Sequence, residues 1–589
     1  MAALASGLAC GKSGNNSTPD GGSAGAAAAG ASGTAGAGAG GTSGAGGAAG
    51  TSSAAGTSGT AGAAGAAGTS GTLGVGGAAG TGAAAGTGGG AAGAGGAAGR
   101  GGAGGTGGSG GAGATGGAGA SGGAGGTGGA GASGGAGEVW SGNPRTTYVK
   151  ASNTEADDGF GVSVALTQDL LAVGAGWEDS RATGINGDQR ADSGPSQIGA
   201  VYVFSQKNGQ WAQEAYIKPS IAPISSDLFG QALALDGNTL AVGYDESYGE
   251  MIGIAGIHGG AVYVFTRDNG AWSEQGHLHA EVPGAFDGFG AVLSLSGDRL
   301  AIGAPLESSA ATGVNGDQTD DSLVYAGAAY VFARTGGVWS QEAYIKASNP
   351  SKGASFGDSV ALDGDTLAVG SPQEDSGALN SGAVYVFARD ANGWAQTAHI
   401  KASNPDPGDF FGVSVALSGD VLAVGAPFEA SDANGINGDQ TNNAAANAGA
   451  VYIFVRSGGT WSQQAYLKAA RSDAADRFGV NVALSGSLLA VTATGESSNA
   501  TGIGGDQTNN MLGESGAVYL FRQNGTVWTQ VAYVKATNTA QLDHFGGSVA
   551  LYGTTLAVGA RDEDSNAKGI GGDQLNNDAF GSGAAYLFQ

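Results

Sequence analysis

The sequence predicts an all-β fold: a seven-bladed β-propeller of four-stranded antiparallel blades, closed by an N-terminal strand and preceded by a disordered Gly/Ala-rich tail. Three observations predict it. Beyond residue 138 the dipeptide Phe-Gly stands at seven aligned positions spaced 55 to 69 residues apart. Each copy is followed by short strand-like runs separated by tight turns. The last copy lacks an element that the segment before the first copy supplies.

The seven dipeptides begin at Phe160, Phe229, Phe289, Phe356, Phe411, Phe478 and Phe545. After each comes an alternating run such as Ser414-Val415-Ala416-Leu417, a Ser-Gly-Asp or Asp-Gly-Asn turn, and a run such as Leu422-Ala423-Val424-Gly425. That pattern is a hairpin of two strands. A variable loop leads to Ala-Val-Tyr-Val-Phe or a near copy, ending at Phe204, Phe265, Phe332, Phe387, Phe454, Phe521 and Phe588. A Gly/Asn turn then opens a fourth strand that begins near Trp211, Trp272, Trp339, Trp394, Trp461 or Trp528 and continues into segments like Ala343-Tyr344-Ile345-Lys346.

The seventh repeat stops at Phe588-Gln589, before any Trp-containing strand. The chain ahead of the first Phe-Gly reads Glu138-Val139-Trp140 and then Tyr148-Val149-Lys150. The two orphan pieces complement each other, so the N-terminal segment is expected to pair as the outer strand of the last blade and cover edges that an open array would expose.

These residues resemble FG-GAP repeats like those in the head of integrin α-chains, in the bacterial subgroup with Trp-x-Gln followed by Ala-Tyr-x-Lys-Ala. Gly303-Ala304-Pro305 and Gly425-Ala426-Pro427 carry the resemblance alongside the Phe-Gly set, with looser copies at Gly174-Ala175-Gly176 and Gly370-Ser371-Pro372. Blade six departs with Thr492-Ala493-Thr494. The resemblance implies a β-propeller and adhesion or ligand binding at the cell exterior, although a shared fold does not by itself transfer a function.

The expected domains are a remnant of a lipoprotein-type signal over residues 1–10, a flexible low-complexity linker over 11–137, and the propeller over 138–589. Gly7-Leu8-Ala9-Cys10-Gly11 resembles the end of a bacterial lipoprotein signal peptide, with Cys10 as the lipidated residue. Leucine sits two places before the cysteine, and no basic or long apolar region precedes it, so a true start upstream is expected. An unpaired cysteine at a frayed terminus is the alternative.

Glycine at every third position from Gly101 to Gly137 has the period of collagen, but no proline lies between Pro19 and Pro144. A coil unable to bury enough apolar surface to repay ordering is expected instead. Its root-mean-square span would be roughly 60–70 Å, enough to lift a head off a surface.

Charge narrows the partners. The formal net charge is −26, and setting aside Lys12, Arg100 and Asp20 leaves −27 on the propeller. Such a field repels phosphate backbones and anionic lipid heads, which excludes nucleic acid and limits membrane contact to a lipid anchor. With Cys10 the only cysteine, no intrachain disulfide and no cysteine-based zinc site can form.

The Asp-rich calcium turn of integrin-type repeats is missing, since only Ser418-Gly419-Asp420 stands where it would lie. A different oxygen-rich loop recurs after the second strand in five blades, centred on Asp188, Asp317, Asp439, Asp506 and Asp573 within Asn-Gly-Asp-Gln or Gly-Asp-Gln. Glu178, Glu307, Glu429, Glu496 or Glu563 precedes it. These oxygens make the five aspartates candidate calcium ligands. The competing reading is a left-handed turn whose Asp and Asn side chains cap their own loop.

Asp158, Asp227, Asp287, Asp409, Asp476 and Asp543 each stand two residues before the blade's Phe. Lys150, Lys218, Lys346, Lys401, Lys468 and Lys535 close the preceding strand. Each aspartate is expected to cap the turn into the strand and to pair with a lysine in exposed ion pairs contributing ~0–1 kcal/mol; a ring of binding charges is the functional alternative.

Breaks in the repeat point to function. Blade two replaces the Asn-Gly-Asp-Gln loop with a segment from Tyr244 to His258, so Tyr244, Tyr248 and Met251 are candidate ligand contacts, as is Trp177, the tryptophan outside the repeat set. A loop folded on its own side chains is the alternative. No catalytic constellation emerges: His277 and His399 occupy the Tyr position of the fourth strand and His279 the Lys position, and Gly-x-Ser-x-Gly strings fall in the tail.

The expectation is therefore a monomeric, non-enzymatic binding or adhesion module, secreted or held at the cell surface as an outer-membrane lipoprotein. Its ligand would be a protein or glycan at the cell exterior. A structural envelope component, or a propeller-type glycan-active enzyme, is the alternative.

Overall fold

The computed structural model describes residues 139–140, 144–190, 197–220, 228–244 and 259–589. The expected signal remnant, the linker over 11–137, Cys10, Asp227, Tyr248 and Met251 lie outside the described residues. The described chain forms seven four-stranded antiparallel sheets, each built from strands consecutive in sequence except the last. Blades 1 to 6 span residues 160–217, 233–278, 292–345, 359–400, 414–467 and 478–534. Blade 7 takes three strands from 548–588 and its fourth from Thr146–Val149.

The closure expected from the sequence is present. Thr146–Val149 pairs antiparallel with Ala584–Phe588 in the register Thr146↔Phe588 and Tyr148↔Tyr586. Trp140 caps the seam by donating its indole N–H to the Thr554 carbonyl, 2.9 Å.

The tandem repeat explains itself through what lies between blades. The Phe of each of the seven aligned Phe-Gly pairs is buried and meets the Tyr and Phe of its own third strand edge-on, as Phe411 does with Tyr452 and Phe454 at 5.3 and 6.1 Å. The cores lie across blade boundaries; one cluster joins Ala423, Val451 and Ile453 of blade 5 to Phe478, Val491 and Tyr519 of blade 6. A Cβ at Gly425 would run into the Gly479 carbonyl of the next blade, so the glycine of Gly-Ala-Pro permits close backbone approach near the axis. Ser414 beside it donates to that same carbonyl, 2.9 Å, and Ser548 donates to Gly161 across the closing seam, 2.8 Å.

The fourth strand needs a further device. Trp339 and Tyr344 are an odd number of residues apart and would point to opposite faces of a regular strand. A register shift between Val331 and Phe332 intervenes, and both rings enter one core. Blades 1, 2, 4, 5 and 6 carry the same shift.

Antiparallel order sends the loop entering the first strand, the loop between strands two and three and the exit from strand four to one face of the ring. Among the described residues the opposite face carries the tight turns and the segment leading into Thr146, where Trp140 meets the Thr554 turn.

Candidate functional site

On the loop-bearing face the lysine that ends each fourth strand is drawn inward. Lys150, Lys218, Lys346, Lys468 and Lys535 are fully buried, each in an ion pair with a buried glutamate: Lys150–Glu563 2.8 Å, Lys218–Glu178 2.5 Å, Lys346–Glu307 2.5 Å, Lys468–Glu429 2.9 Å and Lys535–Glu496 2.7 Å. Lys401–Glu374 repeats the contact at 2.6 Å with a partly exposed lysine. This corrects the expectation of exposed Asp–Lys pairs, because the glutamate stands four residues after the strand-two glycine and lies nearer the ammonium. Burial lowers the lysine pKa, and the glutamate's charge opposes that effect.

Tyrosine and asparagine complete the cluster. Tyr148 donates to Glu563 Oε1 at 2.8 Å, and Tyr344 donates to Glu307 Oε1 at 2.7 Å. Asn404 donates to Glu429 at 3.3 Å and accepts from Tyr452 at 2.7 Å, so it ties one blade's exit to the next blade's core. The repeated Lys-Ala-Ser-Asn run, as in Lys401-Ala402-Ser403-Asn404, was the signal for this role.

The capping half of the aspartate expectation holds. Asp409 accepts from the Asp406 N–H at 3.0 Å, Asp476 from Asp473 at 2.9 Å and Asp543 from Ala540 at 2.9 Å. Burial, with repulsion from the nearby glutamate and other carboxylates, outweighs the capping bond and pushes Asp409, Asp476 and Asp543 up to about 7. Asp158 is pushed up to about 8 and Asp287 to about 6 for the same leading reason.

The Asn-Gly-Asp-Gln loops are assembled from local bonds. Asn315 and Asn437 sit at φ 57° and 56°, and their side chains accept from the backbone N–H of Tyr344 and Tyr466 at 3.0 and 2.9 Å. Asp317, Asp439 and Asp506 are exposed, and each accepts from the backbone N–H and hydroxyl of the threonine two residues on; those bonds lower their pKa. Asp188 accepts from Arg190 and Asp573 from the Leu575 N–H. Gln440 accepts from Ser403 of the preceding linker at 2.6 Å. Among the described residues no three His, Cys, Asp or Glu side chains gather closely enough to hold one ion together, so these loops present no assembled calcium cage. The glutamates expected to add cation ligands are instead the lysines' partners.

Tyr244 is buried against Tyr263, ring centroids 6.0 Å apart, and contributes to the core between blades 1 and 2. Trp177 is half-buried; its ring lies over Gly159, and the Arg561 guanidinium stands 5.9 Å from its centroid. It borders a cleft of about 350 Å³ shared with Glu155, Asp157, Asp158, Asp179 and Gln197.

Trp177 ends a chain of polar contacts that crosses three blades. Arg477 lies 3.8 Å from Glu514, His544 Nε2 is 3.1 Å from the same carboxylate, and His544 Nδ1 is 2.7 Å from Asp562, which also meets Arg561 at 3.3 Å. Hydrogen bonding and charge from Asp562 overcome burial and raise the His544 pKa.

Arg477 and His544 immediately precede Phe-Gly, a position with left-handed backbone in all seven blades. Blades 1 and 3 place glycine there, whereas blades 2, 4, 5, 6 and 7 hold Leu228, Ser355, Phe410, Arg477 and His544 at φ 52°, 52°, 54°, 57° and 50°. The residue type at this position varies from blade to blade, so no repeated letter marks it beside the recurring aspartate.

Blade 2 departs at every member of the lysine cluster. His277 replaces the tyrosine, His279 the lysine, and Ser247 occupies the glutamate's place in the sequence. His277 stacks on Tyr263 at 4.2 Å and meets His279 edge-on at 4.3 Å. Burial, aided by His279, lowers the His277 pKa to about 4.

A family model described as FG-GAP repeat matches residues 146–204, 272–332, 339–387, 394–454, 461–521 and 528–588, more than half of the chain. Each segment begins on one blade's outer strand and ends on the third strand of the next. No curated protein matches the chain.

Proposed function

Because this chain belongs to the FG-GAP repeat family, we propose that it is a non-catalytic recognition module displayed at the cell exterior, binding a surface glycan or protein through its loop-bearing face. FG-GAP propellers are typically binding and adhesion modules, generally without catalytic activity, and usually occur in extracellular or surface proteins. No helix of the described residues is long and apolar enough to cross a membrane.

One observation carries the proposal: non-glycine residues are retained at a left-handed position that the same fold fills with glycine elsewhere. Such backbone costs of order 1–3 kcal/mol, and it concentrates at ligand sites. Five side chains are so held, Leu228, Ser355, Phe410, Arg477 and His544, and the last three, in successive blades, include the two charged or titratable ones. These two continue through Glu514, Asp562 and Arg561 to Trp177. Planar polar groups beside an aromatic ring suit hydroxyl-rich or peptide ligands.

The test is binding of the purified full chain to glycan arrays and to cell-envelope fractions, run alongside a polysaccharide hydrolysis screen. His544→Ala, Arg561→Ala and Trp177→Ala are expected to weaken binding at least about tenfold while the melt stays cooperative, a hot-spot loss of about 1.4 kcal/mol or more. Equal binding by all three variants would move the ligand elsewhere. Sugar release would return the enzyme reading, and no binding to any surface would favour an envelope scaffold.

A further inference from the structure

We propose that His277 and His279 of blade 2 form a binding site for a borderline divalent transition metal such as zinc or nickel. Residues i and i+2 of a strand project from the same face, and these two lie on Ala271–Leu278 and immediately after it. Their ring centroids are 4.3 Å apart, close enough for one nitrogen from each to reach a shared ion at about 2.0–2.1 Å.

His277 Nε2 and His279 Nδ1 are buried atoms without a hydrogen-bond partner among the described residues. A buried polar atom left unpaired costs about 1–3 kcal/mol, so two side by side in one blade call for an explanation. The Gly260 backbone near His279 partly opposes the effect of burial on that ring, and ligating imidazoles are commonly oriented by an outer contact to a backbone carbonyl. Both rings are held neutral by burial, the form that binds metal.

The repeat supplies a second argument. In the other six blades these positions serve a lysine paired with glutamate, and blade 2 lacks both partners together. Volume alone would be met by tyrosine or an aliphatic residue. His399 of blade 4 also fills the tyrosine position, stacked on Tyr385 at 4.6 Å, but lysine follows it there and no pair arises. Two protein donors leave the remaining coordination positions to water or to a group brought by a partner. The site is independent of the Arg477–Trp177 array and stands or falls apart from it.

Isothermal titration of the metal-free full chain with zinc chloride and with nickel chloride tests the site. One saturable site per chain is expected, weakened at least about tenfold by His277→Tyr and by His279→Gln, since loss of even an outer-shell contact costs a metal site that much. His399→Tyr should bind as the parent does. Should the blade 2 variants melt early, copper(II) bound to the parent chain provides the second measurement: its electron paramagnetic resonance spectrum should show hyperfine splitting from two nitrogen donors. Absence of stoichiometric binding, unchanged binding in both blade 2 variants, or an oxygen-only copper spectrum would overturn the proposal.

Discussion

Blades 5 and 2 share a backbone plan but occupy the same internal position differently. Blade 5 buries Lys468 against Glu429, with Tyr466 and Asn404 around them. Blade 2 has exchanged the set for two neutral imidazoles. The contrast teaches that the ion pair behaves as a unit: a fold can lose both charges and keep its shape, whereas losing one strands the other in a dry interior.

The largest effect is expected where the unit is shared between distant parts of the chain. Removing residues 138–149 takes away the strand paired with Ala584–Phe588 and disturbs the Lys150–Glu563 contact at its end. Calorimetry should then show no single cooperative transition, and a synthetic peptide of residues 138–150 added in trans should restore it. A cooperative melt without the peptide would make blade 7 as dispensable as the contrast says it is not.

Half-removal in blade 5 comes next. Lys468→Met or Glu429→Leu alone should cost about 3–5 kcal/mol in denaturant unfolding, and the double variant markedly less than either. Additive losses would mean that the two side chains do not depend on each other.

A smaller effect follows from the capping aspartates near these glutamates. Asp409, Asp476 and Asp543 keep their protons in the folded state up to about pH 7, whereas the unfolded chain releases them near its ordinary carboxyl value. Between those limits the native state binds more protons, so stability is greatest on the acid side and falls as pH rises through 7. The melting midpoint should drop from pH 5.5 to pH 8, and Asp409→Asn should flatten that slope.

The smallest change is expected at the exposed turns. Asp439→Ala should lower the melting midpoint only slightly, through the loss of its solvent-exposed bonds to Thr441. Its melting midpoint should be the same in calcium and in chelator, for the parent as for the variant. A rise with calcium would show that these loops hold a cation and stabilise the fold by mass action.

The ring was legible in the sequence because architecture repeats. Seven Phe-Gly pairs, the Trp-to-Tyr fourth strand and the missing last strand fixed blade number, strand order and closure. The lysine's true partner was not legible, since Asp409 and Glu429 are both buried near Lys468 and only the folded backbone decides which carboxylate reaches the ammonium. Trp177 was visible as an exception, but its partners Arg561 and His544 belong to the far end of the chain and meet it only once the circle closes. His277 and His279 read as tolerated substitutions; their unpaired nitrogens are a property of packing, which a string of letters does not carry.

The strand supplied by the N-terminal side has a consequence for biosynthesis. Tyr148 leaves the ribosome long before Tyr586, and at about 5–20 residues per second the wait is on the order of 20–90 s. Throughout that interval the nascent chain carries an unmatched edge at each end, open to annealing with another molecule. A cell making this protein must therefore shield or export it before completion, and any premature stop yields a product that cannot seal itself.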